Sequence, residues 1–414
     1  MQKNNFVHSP SPYRWVILLL VGFSSMIGGF SQYQMSALAF KIIPQFELTS
    51  VQFSSLVTAP MLLAVFASLP AGALGDRFGV KKVVSVGAVI SVIGNFYRVI
   101  ADSYWELFIS MVLLTLCMTL INANFAKYLG IWFPKKQLGL AVGIYYLLCM
   151  SGATISLAVT AAFFESVHGA FLTAAVIMLG LAVLWIVFAK NKPPGAEDLP
   201  VMPVMKYVRV AAKSRNVWLT GLATAFAMGA MVTMMTYLPT ALTMAKGIAP
   251  STAGLMASVF TFGTLIGSLV LTVLCDKLGL MKAFVIFITL TGTAALYFSW
   301  IIPEGALVWI LLAIAGFLAG SPLPILFTIP IRLKEIGPVY AGSAGGIVST
   351  IQMLGGFVLP TFVIGKIAGE NYNLLIILGC LAFVVIVIFT LFLPELGWRR
   401  QAKLQGADPP TQTY

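Results

Sequence analysis

The sequence predicts an all-α membrane protein, twelve transmembrane helices in two pseudo-symmetric six-helix halves. Three observations carry this. Of 414 residues, 59% are hydrophobic and 9% charged, and mean hydropathy is +0.97, which leaves too little polar surface to cover a water-soluble globule. Apolar runs of about 20 residues, enough to cross a bilayer, recur along the chain. Between two such runs lies a charged, glycine-studded hairpin, Gly72 to Lys82, whose template returns two hundred positions later as Cys275 to Lys282.

Residues 1–13 are polar and read as a cytoplasmic tail. The run about 14–38 exceeds the roughly 7–15 apolar residues of a signal-peptide core, so it reads as a retained first helix although Ala37-Leu38-Ala39 mimics a cleavage site. Runs near 52–73, 83–101, 105–129, 137–164 and 170–189 complete an N-terminal half over 14–189. Runs near 216–242, 252–275, 283–302, 306–330, 340–366 and 372–393 make a second half over 216–393, followed by a cytoplasmic tail over 394–414.

Between the halves, residues 190–215 contain Pro193, Pro194, Gly195, Pro200 and Pro203, which break helices and mark a cytoplasmic linker. Within it, Lys206, Arg209 and Lys213 recur at helical spacing beside Tyr207, Val208 and Val210. An interfacial helix on anionic lipid requires that pattern, and a solvated basic linker also fits it. With the N-terminus inside, 21 of the 25 Lys and Arg residues fall in inner segments, leaving Lys41, Arg98, Lys246 and Lys366 outside. The protein therefore reads as multi-pass in the cell (cytoplasmic) membrane with both termini cytoplasmic.

The net charge of +12 does not indicate nucleic acid, because the cations are spread over short loops and form no basic face. Cys117, Cys149, Cys275 and Cys380 lie in or at the ends of spans and read as free thiols, and His8 and His168 in a tail and a loop offer no metal site. No catalytic triad, phosphate loop or ATP-binding domain is present, so neither an enzyme nor a cofactor is expected.

Asp76 and Asp276, Arg77 and Lys277, Gly79 and Gly279, and Lys82 and Lys282 occupy matching places in the two hairpins. The first, Gly72-Ala73-Leu74-Gly75-Asp76-Arg77-Phe78-Gly79 followed by Lys81 and Lys82, resembles the loop between helices 2 and 3 of major facilitator superfamily transporters. It departs at Val80, where that family often carries another cation. The resemblance implies that the hairpin aspartate helps to lock a cytoplasmic gate, meeting the N-terminus of a helix in the other half and a cation. Asp76 is then expected near Gly342 and Lys127, and Asp276 near Gly139 and Arg332, with Lys127 and Arg332 as gate residues.

A second echo runs at an offset of 203: Gly139, Ala141, Gly143, Met150 and Gly152 fall on Gly342, Ala344, Gly346, Met353 and Gly355. Small residues let helix backbones approach closely in lipid, so helices 5 and 11 are expected along a seam between the halves, although static tight packing explains the same residues. Pro60 and Pro70, Pro239, Pro322, Pro324, Pro330 and Pro360 each remove a helical donor, which marks helix 10 as a bent, cavity-lining segment.

Polar residues inside spans need partners or a cavity. Gln34, Arg98, Asn122, Asn124, Tyr145, Tyr237, Thr328 and Gln352 are the candidate substrate-pathway residues, with Gln34 and Gln352 as neutral amides facing a central cavity. Arg98 reads either as an ion pair with Asp102 at i+4 or with Glu106, or as an outer charge that attracts anions. No Asp or Glu sits near the middle of a span, which biases the pathway toward anions.

Asn124-Phe125-Ala126-Lys127 with Trp132-Phe133-Pro134, Gly94 to Arg98, Tyr237-Leu238-Pro239 and Gln352 to Gly356 are similar to the cyanate permease and 2-nitroimidazole transporter branch of the same superfamily. The resemblance implies a transporter of small anionic or polar organic solutes. The sequence thus reads as a monomeric secondary active transporter among membrane lipids, its halves rocking about a midplane site to move a small organic or inorganic anion. Proton-coupled efflux of hydrophobic compounds suits the Met- and Phe-rich composition but lacks a buried carboxylate. A non-transporting receptor or scaffold leaves the doubled hairpins unexplained.

A carboxylate at a helix N-terminus is favoured by roughly 0.3–1 kcal/mol, enough to bias two conformations without freezing either. Asp76→Asn is therefore expected to favour the inward-open state and to impair turnover more than binding, read as increased labelling of a cytoplasmic-side cysteine probe. Wild-type labelling and transport together would reduce the hairpin to a topological anchor.

Overall fold

The computed structural model describes residues 12–193, 209, 211–333 and 335–397, and is helical throughout them. Twelve helical segments among these residues are long and apolar enough to cross a membrane. We number them α1 (Tyr13–Ala37), α2 (Ser50–Phe78), α3 (Val80–Val99), α4 (Tyr104–Leu114 and Leu116–Trp132), α5 (Lys135–Phe163) and α6 (Val167–Phe188). The second six are α7 (Arg215–Lys246), α8 (Pro250–Leu278), α9 (Met281–Ile301), α10 (Ala306–Ala319, Pro322–Phe327 and Ile329–Arg332), α11 (Gly337–Val358, Leu359–Ile364 and Gly365–Ala368) and α12 (Tyr372–Phe392). Most of the expected linker, the interfacial-helix residues Lys206, Tyr207, Val208 and Val210, and most of the C-terminal tail lie outside the described residues.

The chain divides into two compact units, Met1–Leu48 with Ser55–Val201, and Thr49–Ser54 with Met202–Tyr414. In the first unit α1 packs along α5 and α6, and α3 along α4 and α6. The core gathers Ile17, Val21, Val84, Leu129, Tyr145 and Trp185. In the second unit α7 packs along α11 and α12, and α9 along α10 and α12, repeating the pattern of the first.

The repeated hairpins differ from the expected loops. Gly72, Asp76 and Arg77 are helical residues in the last turns of α2, Asp276 and Lys277 end α8, and Lys81 and Lys82 already belong to α3. The reversal is made at Gly79 (φ +83°) and Gly279 (φ +63°), a backbone region open to glycine at no steric cost. Charged residues therefore ride on helix ends, where Arg77 and Lys277 also oppose the negative end of the helix dipole.

The proline expectations divide. Pro60 and Pro70 lie inside the unbroken 29-residue α2, and Pro239 inside the 32-residue α7. Helix 10 is broken twice, before Pro322 and at Thr328, and Pro360 sits in a π-helical turn of α11. Clusters of prolines interrupt the backbone ladder more than a single one, whose freed carbonyl is tolerated where neighbouring helices cover it.

The glycine echo resolves into two functions. A Cβ on Gly152 would lie 2.0 Å from the Met26 carbonyl oxygen of α1, and one on Gly355 would lie 2.4 Å from the Ala225 carbonyl oxygen of α7. These two glycines thus serve the same helix pairing inside each unit, which accounts for their repetition. Gly143 and Gly346, by contrast, have nothing within 4 Å of an added Cβ.

Backbone carbonyls cannot move aside as a flexible side chain can, so Gly152→Ala is expected to cost about 1–3 kcal/mol and lower the melting temperature. Gly143→Ala should leave it unchanged or raise it slightly, since alanine is the better helix former. Equal melting temperatures for the two variants would contradict this account of the α1–α5 contact.

Candidate functional site

Arg98 closes the last turn of α3. The expected i+4 pair with Asp102 does not form, because the helix ends at Val99 and Asp102 lies in the following loop. Glu106 is also committed elsewhere: its carboxylate accepts from the Asp102 and Ser103 amides at 2.8 and 3.0 Å, one side of a capping box that starts α4. Arg98 instead turns inward and is 1% exposed. Its Nη1 donates to the Ser31 carbonyl at 2.6 Å and its Nη2 to Gln34 Oε1 at 2.9 Å, while the guanidinium carbon stands 4.0 Å from the centroid of the Phe171 ring.

All of these partners are neutral, and no carboxylate contacts Arg98 among the described residues. Nε has no hydrogen-bond partner, and neither do the nearby Ser31 Oγ and Asn95 Oδ1. Burying a cation costs several kcal/mol unless charge and hydrogen bonds compensate it. Carbonyl dipoles and an aromatic face offset part of that cost and leave the positive field in place. An anion is the complement such a field lacks.

Gln34, expected to face a cavity, has both ends of its amide engaged: Oε1 holds Arg98, and Nε2 donates to the Ala170 carbonyl at 2.9 Å. It is completely buried and supports Arg98. Asn124 is also structural. Its Nδ2 donates to the Ala71 and Leu120 carbonyls at 3.1 and 2.9 Å, and a Cβ on Gly75 would lie 2.2 Å from its Oδ1. Tyr237 is buried as well, donating to the Ser50 carbonyl at 2.8 Å with its ring against Phe53 inside the second unit. These three polar residues, expected along the pathway, are each satisfied by an internal carbonyl, as packing between helices requires.

Asn122 and Tyr145 come together as expected pathway residues, with Ser25, which sequence reasoning passed over. Tyr145 donates to Asn122 Oδ1 and lies 3.2 Å from Ser25 Oγ. Its ring stacks on Phe125 at 4.5 Å and meets Tyr146 edge-on at 5.5 Å. Ser25 and Tyr145 are fully buried whereas Asn122 is exposed. The available signal for Ser25 was the Ser24-Ser25 pair in an apolar helix; Phe171 carried none, since an aromatic residue in a span is ordinary.

In the second unit, Gln352 is buried and its Oε1 lacks a partner, as do Thr236 Oγ1 and Thr240 Oγ1 of α7. Thr328 bonds back to the Ile325 carbonyl at 2.8 Å at the break in α10. The Asp276–Arg332 pair expected from the repeat is present at 2.6 Å, with both side chains partly exposed. Such a pair adds at most about 1 kcal/mol. Lys127 is half-buried, and the side chain of Asp76 lies outside the described residues.

The family model of the Major Facilitator Superfamily matches residues 15–360. The probable nitrate/nitrite transporter NarK2 of Mycobacterium tuberculosis is 27% identical over 77% of this chain and 80% of its own length. The probable nitrate/nitrite antiporter NarK1 of Thermus thermophilus is 25% identical over 85% of this chain and 84% of its own. Among solved structures, a bacterial homologue of the human lysosomal transporter Spinster superposes with a TM-score of 0.72 at 15% identity, over 97% of this chain and all of that one.

Gln34→Leu removes the one side-chain oxygen that receives Arg98 and leaves that buried Nη2 donor unpaired. It is expected to destabilise the fold by about 1–3 kcal/mol, seen as a lower melting temperature and a smaller folded yield. Gln352→Leu removes an already unpartnered oxygen, so its melting temperature should stay level or rise while solute affinity falls. Unchanged stability in the first variant, or unchanged affinity in the second, would refute the respective assignment.

Proposed function

The chain belongs to the Major Facilitator Superfamily, and from that premise we propose that it is a secondary active transporter carrying a small organic or inorganic anion across the cell membrane by alternating access. Its activity is transport and not enzymic catalysis. The observation that carries the anionic substrate is Arg98, a buried guanidinium whose partners are all neutral. The names of the nitrate/nitrite relatives support the same class. The cyanate permease and 2-nitroimidazole transporter-like branch suggested by Gly94 to Arg98 and by Gln352 to Gly356 implies small anionic or polar organic solutes, and it stays within this proposal.

The site proposed for the solute in the first unit lies within reach of the Arg98 field, with Asn122 as a polar contact, and in the second unit the unpartnered Gln352 is assigned to the pathway. Asp276 with Arg332, and Asp76 with Lys127, are assigned to a cytoplasmic gate. The termini are assigned to the cytoplasm from the distribution of Lys and Arg. The protein is taken to act as a monomer among membrane lipids.

Over roughly 10 Å at an effective dielectric of about 20, one charge contributes about 1.7 kcal/mol, more than a tenfold change in affinity. In proteoliposomes the chain is expected to take up nitrate, nitrite or cyanate, and Arg98→Gln should lower the folded yield and, in the protein that folds, raise the apparent KM at least about tenfold. Transport confined to cations or neutral aromatic compounds, or a wild-type KM in the variant, would overturn the reading.

A further inference from the structure

The Ser25–Tyr145–Asn122 chain has a direction. A phenol has a single proton, and Tyr145 donates it to Asn122 Oδ1. The phenolic oxygen then accepts from Ser25 Oγ, 3.2 Å away. Ser25, on α1, and Tyr145, on α5, are fully buried where Gly152 brings those two helices into backbone contact. Phe125 stacked on the tyrosine at 4.5 Å, with an interplanar angle of 17°, and Tyr146 at its edge hold the ring in place. The relay therefore starts on the most closely packed helix pair of the unit and ends on an exposed side chain.

The consequence falls on the Asn122 amide. A free asparagine offers a solute either its carbonyl or its NH2 group by turning over. With Oδ1 taken by Tyr145, the NH2 group is the end left for solute. A polar side chain exposed on a spanning helix faces water and not lipid, because hydrocarbon would leave it unsatisfied. That exposed end donates only.

We infer that Tyr145 is a positioning residue that locks Asn122 as a hydrogen-bond donor to small oxyanions, so that selection by charge is built into a neutral side chain. This rests on the anion-transport reading and deepens it. Arg98 supplies a non-directional positive field, and Asn122 supplies a directional contact that a carbonyl-facing amide would deny. The ligand class is a small, planar or bent oxyanion able to accept an N–H bond, and cations are rejected by the same orientation.

The test uses the purified full chain and two planar trigonal ions of opposite charge, nitrate and guanidinium, with binding followed by tryptophan fluorescence or calorimetry. Wild type should bind nitrate in preference to guanidinium. Tyr145→Phe and Asn122→Leu should each weaken nitrate binding about tenfold, and the double variant no further than either single one, as coupled residues require. Asn122→Asp keeps an acceptor for Tyr145 but turns the exposed end into a carboxylate, so nitrate binding should be lost and guanidinium binding gained. Asn122 is exposed, so that variant carries the test even if Tyr145→Phe folds poorly. Wild-type selectivity in Asn122→Asp, or additive losses in the double variant, would overturn the relay while leaving anion transport standing. A wild-type protein that binds guanidinium and not nitrate would overturn both.

Discussion

Inside a bilayer a polar group has two outlets, an internal partner or water, and this protein is ordered by how its polar residues divide between them. Asn124, Tyr237 and Gln34 are each anchored to carbonyls of neighbouring segments, and with them the helices they join. Many of the buried threonines and serines bond back to their own helix, as Thr289 and Thr233 do. Among the described residues the buried groups left without partners include Arg98 Nε, Asn95 Oδ1 and Gln352 Oε1, and Asn122 is exposed.

Arg98 is the sharpest instance, because a charge cannot be satisfied by turning back on its own helix. Its ligands belong to α1, α4 and α6, so one side chain of α3 ties together most of its unit. Their neutrality is what the proposed function rests on. A carboxylate at the same place would cancel the field; carbonyl oxygens and the Phe171 ring hold the guanidinium without cancelling its charge. In the proposed site Asn122 complements it at shorter range, where the direction of an N–H bond matters more than net charge.

The internal repeat is a repeat of close approaches. Gly152 on Met26 and Gly355 on Ala225 place the fifth helix of each half against the first, and Gly79 and Gly279 turn the second helix into the third. These are backbone requirements, and glycine is retained in both copies because a Cβ would meet a carbonyl in the first case and a left-handed φ in the second. The charges riding on the same template are less demanding. Arg77 and Lys277 differ in kind, yet both suit a helix C-terminus, and Asp276 finds Arg332 across one ion pair.

The sequence by itself determined the spanning helices, their grouping in two sixes and the repeat, because hydropathy and run length are properties of short segments. It also marked Arg98, Asn122, Tyr145 and Gln352 as polar residues that needed an account. Which of them are satisfied inside the protein was decided by tertiary structure alone. Gln34 and Asn122 look alike as amides in apolar helices, and only packing shows that one is closed off between Arg98 and Ala170 while the other is exposed. The ending of α3 at Val99, which denies Arg98 its i+4 partner Asp102, likewise depends on how the chain turns into α4, and no spacing rule along one helix contains that turn.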